Sequence, residues 1–244
     1  MHLPLALIAA AFAGLLGASV PGWMRVRFGV DEVISTLLLN PVYILFTSYL
    51  ANGPFRDPAR WSGTTPQISQ SANLPVLLSS SGLNAGILIS LLLVGILEWM
   101  FTSTDLGYRW KMCGLNPRFA QYGGLEVRRD RMRAMLFSGA LAGLAGGVLV
   151  CGSQYRFWAQ IGGGIGWDGI LIALLAGNQP LGVLLSGLLF AVVKTGSLGM
   201  ESASGVPSEL TNLLLALLIL LIAGRQFVLL LFRRRQASVA VAGD

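Results

Sequence analysis

Apolar residues along this chain fall in long blocks separated by short polar stretches, with none of the strict alternation that marks strands. Four blocks, at residues 4–23, 83–101, 134–151 and 209–232, are nearly free of charge and long enough to cross a hydrocarbon layer about 30 Å thick at about 1.5 Å per helical residue. Three further blocks are weaker. Residues 31–50 contain Glu32, Ser35, Thr36, Asn40 and Pro41, residues 165–177 are short with a glycine-rich entry, and residues 181–198 contain Lys194. Together they predict an all-α, polytopic transmembrane helical bundle of about seven spans, forming a single domain over residues 1–244. Polar or broken spans are where a transport route through such a bundle is expected.

Charge orients the bundle. The one long charged segment between strongly apolar blocks, residues 104–133, carries Arg109, Lys111, Arg118, Arg128, Arg129, Arg131 and Arg133, and such a segment is retained in the cytoplasm. Counting seven crossings puts Arg25, Arg27, Arg233, Arg234 and Arg235 on the same side and leaves only Arg56, Arg60 and Arg156 in outer loops. The C-terminus is then cytoplasmic and the N-terminus extracytoplasmic. The outer loop at 51–82, rich in Ser, Thr, Pro and Asn with Trp61 near its middle, is either a solvated connector or a docking surface for a soluble extracytoplasmic partner. A cleaved signal peptide fits residues 1–23 poorly, because no basic stretch precedes the apolar run and Arg25 and Arg27 follow it.

Composition agrees: 54% of residues are hydrophobic and 11% charged, too few charges to cover a water-facing surface. The formal charge of +6 does not signal nucleic acid, since the basic residues cluster at span ends without interleaved aromatics. Cys113 lies in the basic segment and Cys151 at the far end of the apolar block that follows it, so the two face opposite sides of the bilayer, too far apart to bridge.

Candidate chemistry is sparse. Gly164, Gly166 and Gly169 satisfy a dinucleotide-binding spacing, but no strand precedes them, and they are better read as glycines that let the chain bend on re-entering the bilayer. Lys194-Thr195 lacks the glycines of a phosphate-binding loop, so the chain is expected neither to bind ATP nor to hydrolyse it. His2 is the single histidine, which excludes His-based metal clusters and Ser-His or Cys-His pairs; no catalytic residue, metal or cofactor is expected. Gly139, Gly143 and Gly146, with Ala142, have the small-xxx-small spacing of tightly packed membrane helices. Glu98 and Trp99 lie near the inner end of their span. Lys194 either snorkels to the outer interface or pairs with Glu201. Glu32, Thr36 and Asn40 recur every fourth residue, so they share one helix face that either lines a water-filled path or bonds a neighbouring helix.

Val30-Asp31-Glu32-Val33-Ile34-Ser35-Thr36-Leu37-Leu38-Leu39-Asn40 closely resembles the N-E-V-I-S-T-L-M-L-N signature of ABC-importer permeases for nucleosides and simple sugars, within the group that includes branched-chain amino acid and ribose permeases. Thr104-Asp105-Leu106-Gly107-Tyr108-Arg109 and Gly114-Leu115-Asn116-Pro117 resemble that family's cytoplasmic coupling helix, and the runs 138–146 and 169–182 are also similar to it. Two departures stand out: Lys111-Met112-Cys113 replaces an Arg-Ala pair, and Asn40-Pro41 replaces Asn-Tyr. The family's earlier spans, with a motif like G-x-x-N-I-G-x-E-G-Q, are not in this sequence, which implies either a late start or a shortened permease.

The resemblance implies a plasma (inner) membrane permease subunit that pairs with a second permease chain, homologous or identical, is surrounded by lipid, and is served by an extracytoplasmic solute-binding protein. Cytoplasmic ATPase subunits would use the ATP. Gly107, Arg109, Gly114, Leu115, Asn116, Pro117 and Arg118, with Lys111, are the implied ATPase-coupling residues, and Glu32, Ser35, Thr36 and Asn40 are the candidate translocation path. Nucleoside is the first-ranked solute. A proton-coupled secondary transporter using Glu32 or Glu98, and a non-transporting scaffold subunit, are the competing readings. Uptake that depends on ATP, and not on a proton gradient, separates the first of these from the importer.

Overall fold

The computed structural model describes residues 2–59, 63–78, 82–158 and 161–204. The expected span at 209–232, with Arg60, Trp61 and Arg233 to Arg235, lies outside the described residues. The chain forms two compact units divided at Gly163 and Gly164.

In the first unit, α1 (His2–Phe28) and α2 (Glu32–Asn52) form an antiparallel hairpin. Asp31 caps α2 by accepting a hydrogen bond from the Val33 amide at 2.9 Å, and the Tyr43 hydroxyl donates back to the Gly17 carbonyl at 2.7 Å. The chain returns through α3 (Gly86–Ser103), turns into the short α4 (Asp105–Leu115) and α5 (Pro117–Tyr122), and ascends as α6 (Val127–Leu149). A π turn, Val150–Gln154, ends α6 at Tyr155, whose φ of 56° lies in the left-handed region.

The contact between α1 and α6 sets the packing of this unit. Ala10, Gly14 and Ala18 on α1 meet Gly139, Gly143 and Gly147 on α6 in antiparallel register, so closely that an added methyl at Gly14 would strike the Gly139 carbonyl and one at Gly143 the Ala10 carbonyl. In lipid no hydrophobic force draws helices together, and small residues allow the close backbone approach on which dispersion depends. The third glycine of the seam is Gly147, four residues beyond Gly143; an added Cβ at the expected Gly146 meets nothing within 4 Å. The antiparallel register brings the basic end of α1 (Arg25, Arg27) beside the basic start of α6 (Arg128, Arg129, Arg131).

The segment between α2 and α3 packs on the opposite end of α6. A 3₁₀ turn, Gln70–Ala72, is followed by a small antiparallel pair, β1 (Val76–Leu78) and β2 (Leu83–Asn84). Backbone bonds join Thr65 to Phe157, Ile68 to Tyr155 and Leu74 to Cys151, each at 2.9 Å. The Asn84 side chain donates to the Gly152 carbonyl at 2.7 Å and accepts from the Gly86 amide at 3.0 Å, which fixes the start of α3. The described parts of this loop therefore form a cap on the end of α6.

The second unit, as described, is a helical hairpin of α7 (Ile165–Leu175) and α8 (Pro180–Ser204), joined by a turn in which Gly177 (φ 62°) and Asn178 (φ 59°) are left-handed. At 11 residues α7 is about 16 Å long, too short to cross a bilayer alone. Five helices among the described residues, α1, α2, α3, α6 with its π turn, and α8, are long and apolar enough to do so. Lys194 on α8 pairs with Asp168 in the first turn of α7, and not with Glu201. The pair cancels two charges that apolar surroundings would each penalise, and Asp168 also sits where the helix dipole favours an anion.

Two outcomes are expected in detergent melting experiments. Gly143→Leu should destabilise the protein by about 3 kcal/mol or prevent its folding, while Gly146→Leu leaves the midpoint nearly unchanged. Lys194→Met should lower the melting midpoint by leaving Asp168 unpaired, and the further change Asp168→Asn should recover most of that loss.

Candidate functional site

The surface built by α4 and α5 is anchored on one side and bare on the other. Thr104 ends α3 and starts α4: its Oγ1 donates to the Met100 carbonyl at 2.6 Å and accepts from the Gly107 amide at 3.3 Å. Gly107 is buried at this crossing, where a Cβ would come within 2.6 Å of Phe101 Cα, so the glycine permits the sharp turn from span to surface helix. Trp110 packs edge-on to Phe101 and tilted against Phe137, with ring centroids 6.4 Å and 5.4 Å away, tying α4 to α3 and α6. Beneath lies a small core of Cys113, Ala120 and Val127, flanked by Met112 and Leu125.

Asn116 joins the two short helices. Its backbone is extended (φ −149°, ψ 95°), it ends α4, and its Oδ1 accepts from the Phe119 amide at 3.1 Å to cap α5, where Pro117 takes the first helical position that tolerates a missing N–H. The Gly-Leu-Asn-Pro run is thus a capped hinge of fixed geometry. Around it Leu115 is 79% exposed and Tyr122 91%, with Phe119 also bare. Arg109, Lys111 and Arg118 are exposed and form no ion pair among the described residues. Gly114 is open, with nothing within 4 Å of an added Cβ. A protruding apolar tip ringed by free cations has the character of a docking surface.

The α2 residues are arranged differently. Ser35 is fully buried and its hydroxyl donates to the Asp31 and Glu32 carbonyls, both at 3.1 Å. Glu32, Thr36 and Asn40 are exposed; Thr36 bonds back to the Glu32 carbonyl at 2.8 Å, and Glu32 pairs with Arg25 at 2.9 Å. Glu98 is half-buried, with an unpartnered Oε2.

The two groups of residues meet at one place. A cavity of about 460 Å³ is lined by Arg25 and Glu32, by Trp110, Cys113 and Gly114 of α4, and by the start of α6 including Asp130 and Arg131. Asp130, Trp110 and the aromatic tip residues Phe119 and Tyr122 were not singled out in the sequence. Asp130 carries a legible signal as the lone acid in the run Arg128 to Arg133, whereas the burial of Trp110 follows only from three helices converging on it.

Burial pushes the Cys113 thiol above its ordinary range, the Asp130 carboxylate adds to the rise, and Arg131 opposes it. Alkylation proceeds through the thiolate, which a raised pKa makes scarcer at neutral pH. In folded Cys151→Ala protein, maleimide labelling of Cys113 at pH 7 should be at least about tenfold slower than after denaturation and should accelerate as pH rises.

Comparison with known proteins gives this geometry a context. The family model described as the permease component of the branched-chain amino acid transport system matches residues 1–223. The guanosine ABC transporter permease protein NupP of Bacillus subtilis is 39% identical over 230 residues, covering 91% of this chain and 65% of that protein. The nucleoside ABC transporter permease protein NupB of Lactococcus lactis is 33% identical, covering 98% and 68%. A glucose ABC transporter permease of Haloferax volcanii is also 33% identical, covering 98% and 64%. The chain spans about two thirds of the length of these relatives. No solved structure matches. With a family match over nearly all of its length, on an all-α set of membrane-length helices, the chain belongs to the branched-chain amino acid transport system permease family.

Proposed function

We propose that this chain is a membrane-spanning permease subunit of an ABC importer, moving a nucleoside or a related sugar-type solute across the plasma membrane and driven by separate ATPase subunits. The capped hinge at Asn116 is the observation that carries this reading. Its exposed apolar tip and free cations offer a rigid lever for a soluble motor, and its base is packed against α3 and α6, so a push on it reaches the spans as a rigid-body movement. The basic ends of α1 and α6 lie on the same side as this hinge, which supports reading that side as cytoplasmic and the N-terminus of α1 as outside. The cap between α2 and α3 is then extracytoplasmic, where a solute-binding protein would dock.

The names of the bacterial relatives, for guanosine and nucleosides, favour a nucleoside as solute, with the glucose permease keeping a sugar in view. A second permease chain completes the assembly. ATP serves the partner subunits. Glu32, Ser35, Thr36 and Asn40 of α2 are the path candidates; Ser35 is buried against its own helix, and Glu32 is held by Arg25 and so better suited to fixing the helix end than to carrying protons.

Gly114→Trp tests the coupling surface without disturbing the fold, because the position is open. In vesicles carrying the full importer, ATP-dependent uptake of labelled guanosine should fall at least about tenfold while ATP hydrolysis continues and the melting midpoint holds. Coupled uptake at the unaltered rate would remove the hinge from the mechanism.

A further inference from the structure

A proline in α1 leaves one backbone acceptor open, and α2 fills it. Pro21 lies inside α1 and has no N–H, so the Gly17 carbonyl, four residues earlier, lacks its helical donor. In a membrane span such a carbonyl has no water to turn to, and leaving it unmet costs free energy. The Tyr43 hydroxyl of α2 donates to this same carbonyl at 2.7 Å. The hydroxyls of Ser35, Thr36 and Thr47 are instead spent on carbonyls of their own segment. The corresponding carbonyl of α2, Leu37 ahead of Pro41, receives no side-chain donor among the described residues, so the bond at Gly17 is particular to Tyr43.

Among the described residues, two polar attachments hold α2 to α1. At the start of α2, Glu32 pairs with Arg25 at 2.9 Å, and the same guanidinium donates to the Gly29 and Val30 carbonyls of the intervening turn. Tyr43 makes the second attachment, about 16 Å further along the helix. Thr36 and Asn40 lie between the two. Among the described helices α2 packs chiefly on α1, and only Ser35 and Ala51 of its residues are buried, so apolar packing does little to fix it. The helix it leans on, by contrast, is locked to α6 through the glycine seam. We infer that Tyr43 is a positioning residue for transport: through the carbonyl that Pro21 leaves open, it fixes the segment of α2 bearing Thr36 and Asn40 against the rigid pair of α1 and α6. The inference rests on the reading of that segment as part of the solute path. Without the bond, α2 keeps its Glu32 end but loses the contact that sets which groups it presents.

Melting the purified full-length chain in detergent tests the bond itself and needs neither transport nor ATP. Tyr43→Phe should lower the midpoint by about 3 °C, the scale expected for one hydrogen bond between membrane helices. Pro21→Ala restores a backbone N–H that satisfies Gly17 from within α1, so in that background Tyr43→Phe should cost less than about 1 °C. Equal losses in the two backgrounds would remove the open carbonyl from the account. The positioning role is read in vesicles carrying the full importer, well below the lowered midpoint, as labelled guanosine taken up per ATP hydrolysed. Tyr43→Phe should reduce that ratio at least about fivefold, whereas a loss of folded protein lowers uptake and hydrolysis together and leaves it unchanged. Tyr49→Phe, at a 70% exposed tyrosine of the same helix whose hydroxyl makes no bond among the described residues, should alter neither midpoint nor ratio. An unchanged ratio in Tyr43→Phe would overturn the inference. Should Pro21→Ala fail to fold, the comparison of Tyr43→Phe with Tyr49→Phe carries the test. An unaltered importer that takes up no guanosine counts against the proposed solute instead, and the melting cycle then decides whether Tyr43 holds α2.

Discussion

The close approach of α1 and α6 is the constraint on which the rest of the first unit depends. In a hydrocarbon solvent the two helices gain nothing from being apolar, so their association rests on contact area, and that area exists only because Ala10, Gly14 and Ala18 face Gly139, Gly143 and Gly147 without side chains between them. The antiparallel register that follows places several polar features of this unit. It sets Arg25 opposite the arginines of α6, frames the cavity at one end, and leaves the other end of α6 to hold the loop between α2 and α3 through Leu74, Asn84 and Ile68.

The hinge inherits its rigidity from that frame. Neither α4 nor α5 is long enough to be stable alone; isolated helices under about 12 residues are marginal in water. They persist because Thr104 and Asn116 cap them, Gly107 lets α4 fold back on the end of α3, and Trp110 wedges between Phe101 and Phe137. A surface element held this way transmits force instead of absorbing it, which is what coupling to a motor requires. Its bare apolar tip would be a liability on an isolated soluble protein and is intelligible as an interface.

The second unit shows how one ionic contact makes a short helix tenable beside a membrane. Asp168 and Lys194 would each be costly in an apolar setting; as a pair they fasten α7 to the middle of α8 and remove the need for either to reach water. Glycines at 162 to 164 and at 177 serve the turns at either end of α7, where Gly164 and Gly177 have positive φ that a β-carbon would resist.

The sequence by itself determined much of this protein, because long apolar blocks and clustered arginines obey rules that hold residue by residue: the helices, their approximate limits, the small-residue seam on α6 and the basic end of the bundle are all legible in it. The capping roles of Thr104 and Asn116 also belong to local chemistry, since a cap acts within three residues of itself. Tertiary structure alone decided which residues meet. Gly147 in place of Gly146 completes the seam because a partner helix selects every fourth position, and Ala10, Gly14 and Ala18 acquire meaning only opposite it. Asp168, and not the nearer Glu201, takes Lys194 because the turn at Gly177 and Asn178 folds α7 onto α8. Asp130 Oδ2 and Trp110 Nε1 are shut away without partners only once the helices around them converge. Pairings of this kind depend on the direction in which helices cross, a property of the assembled chain that no local pattern encodes.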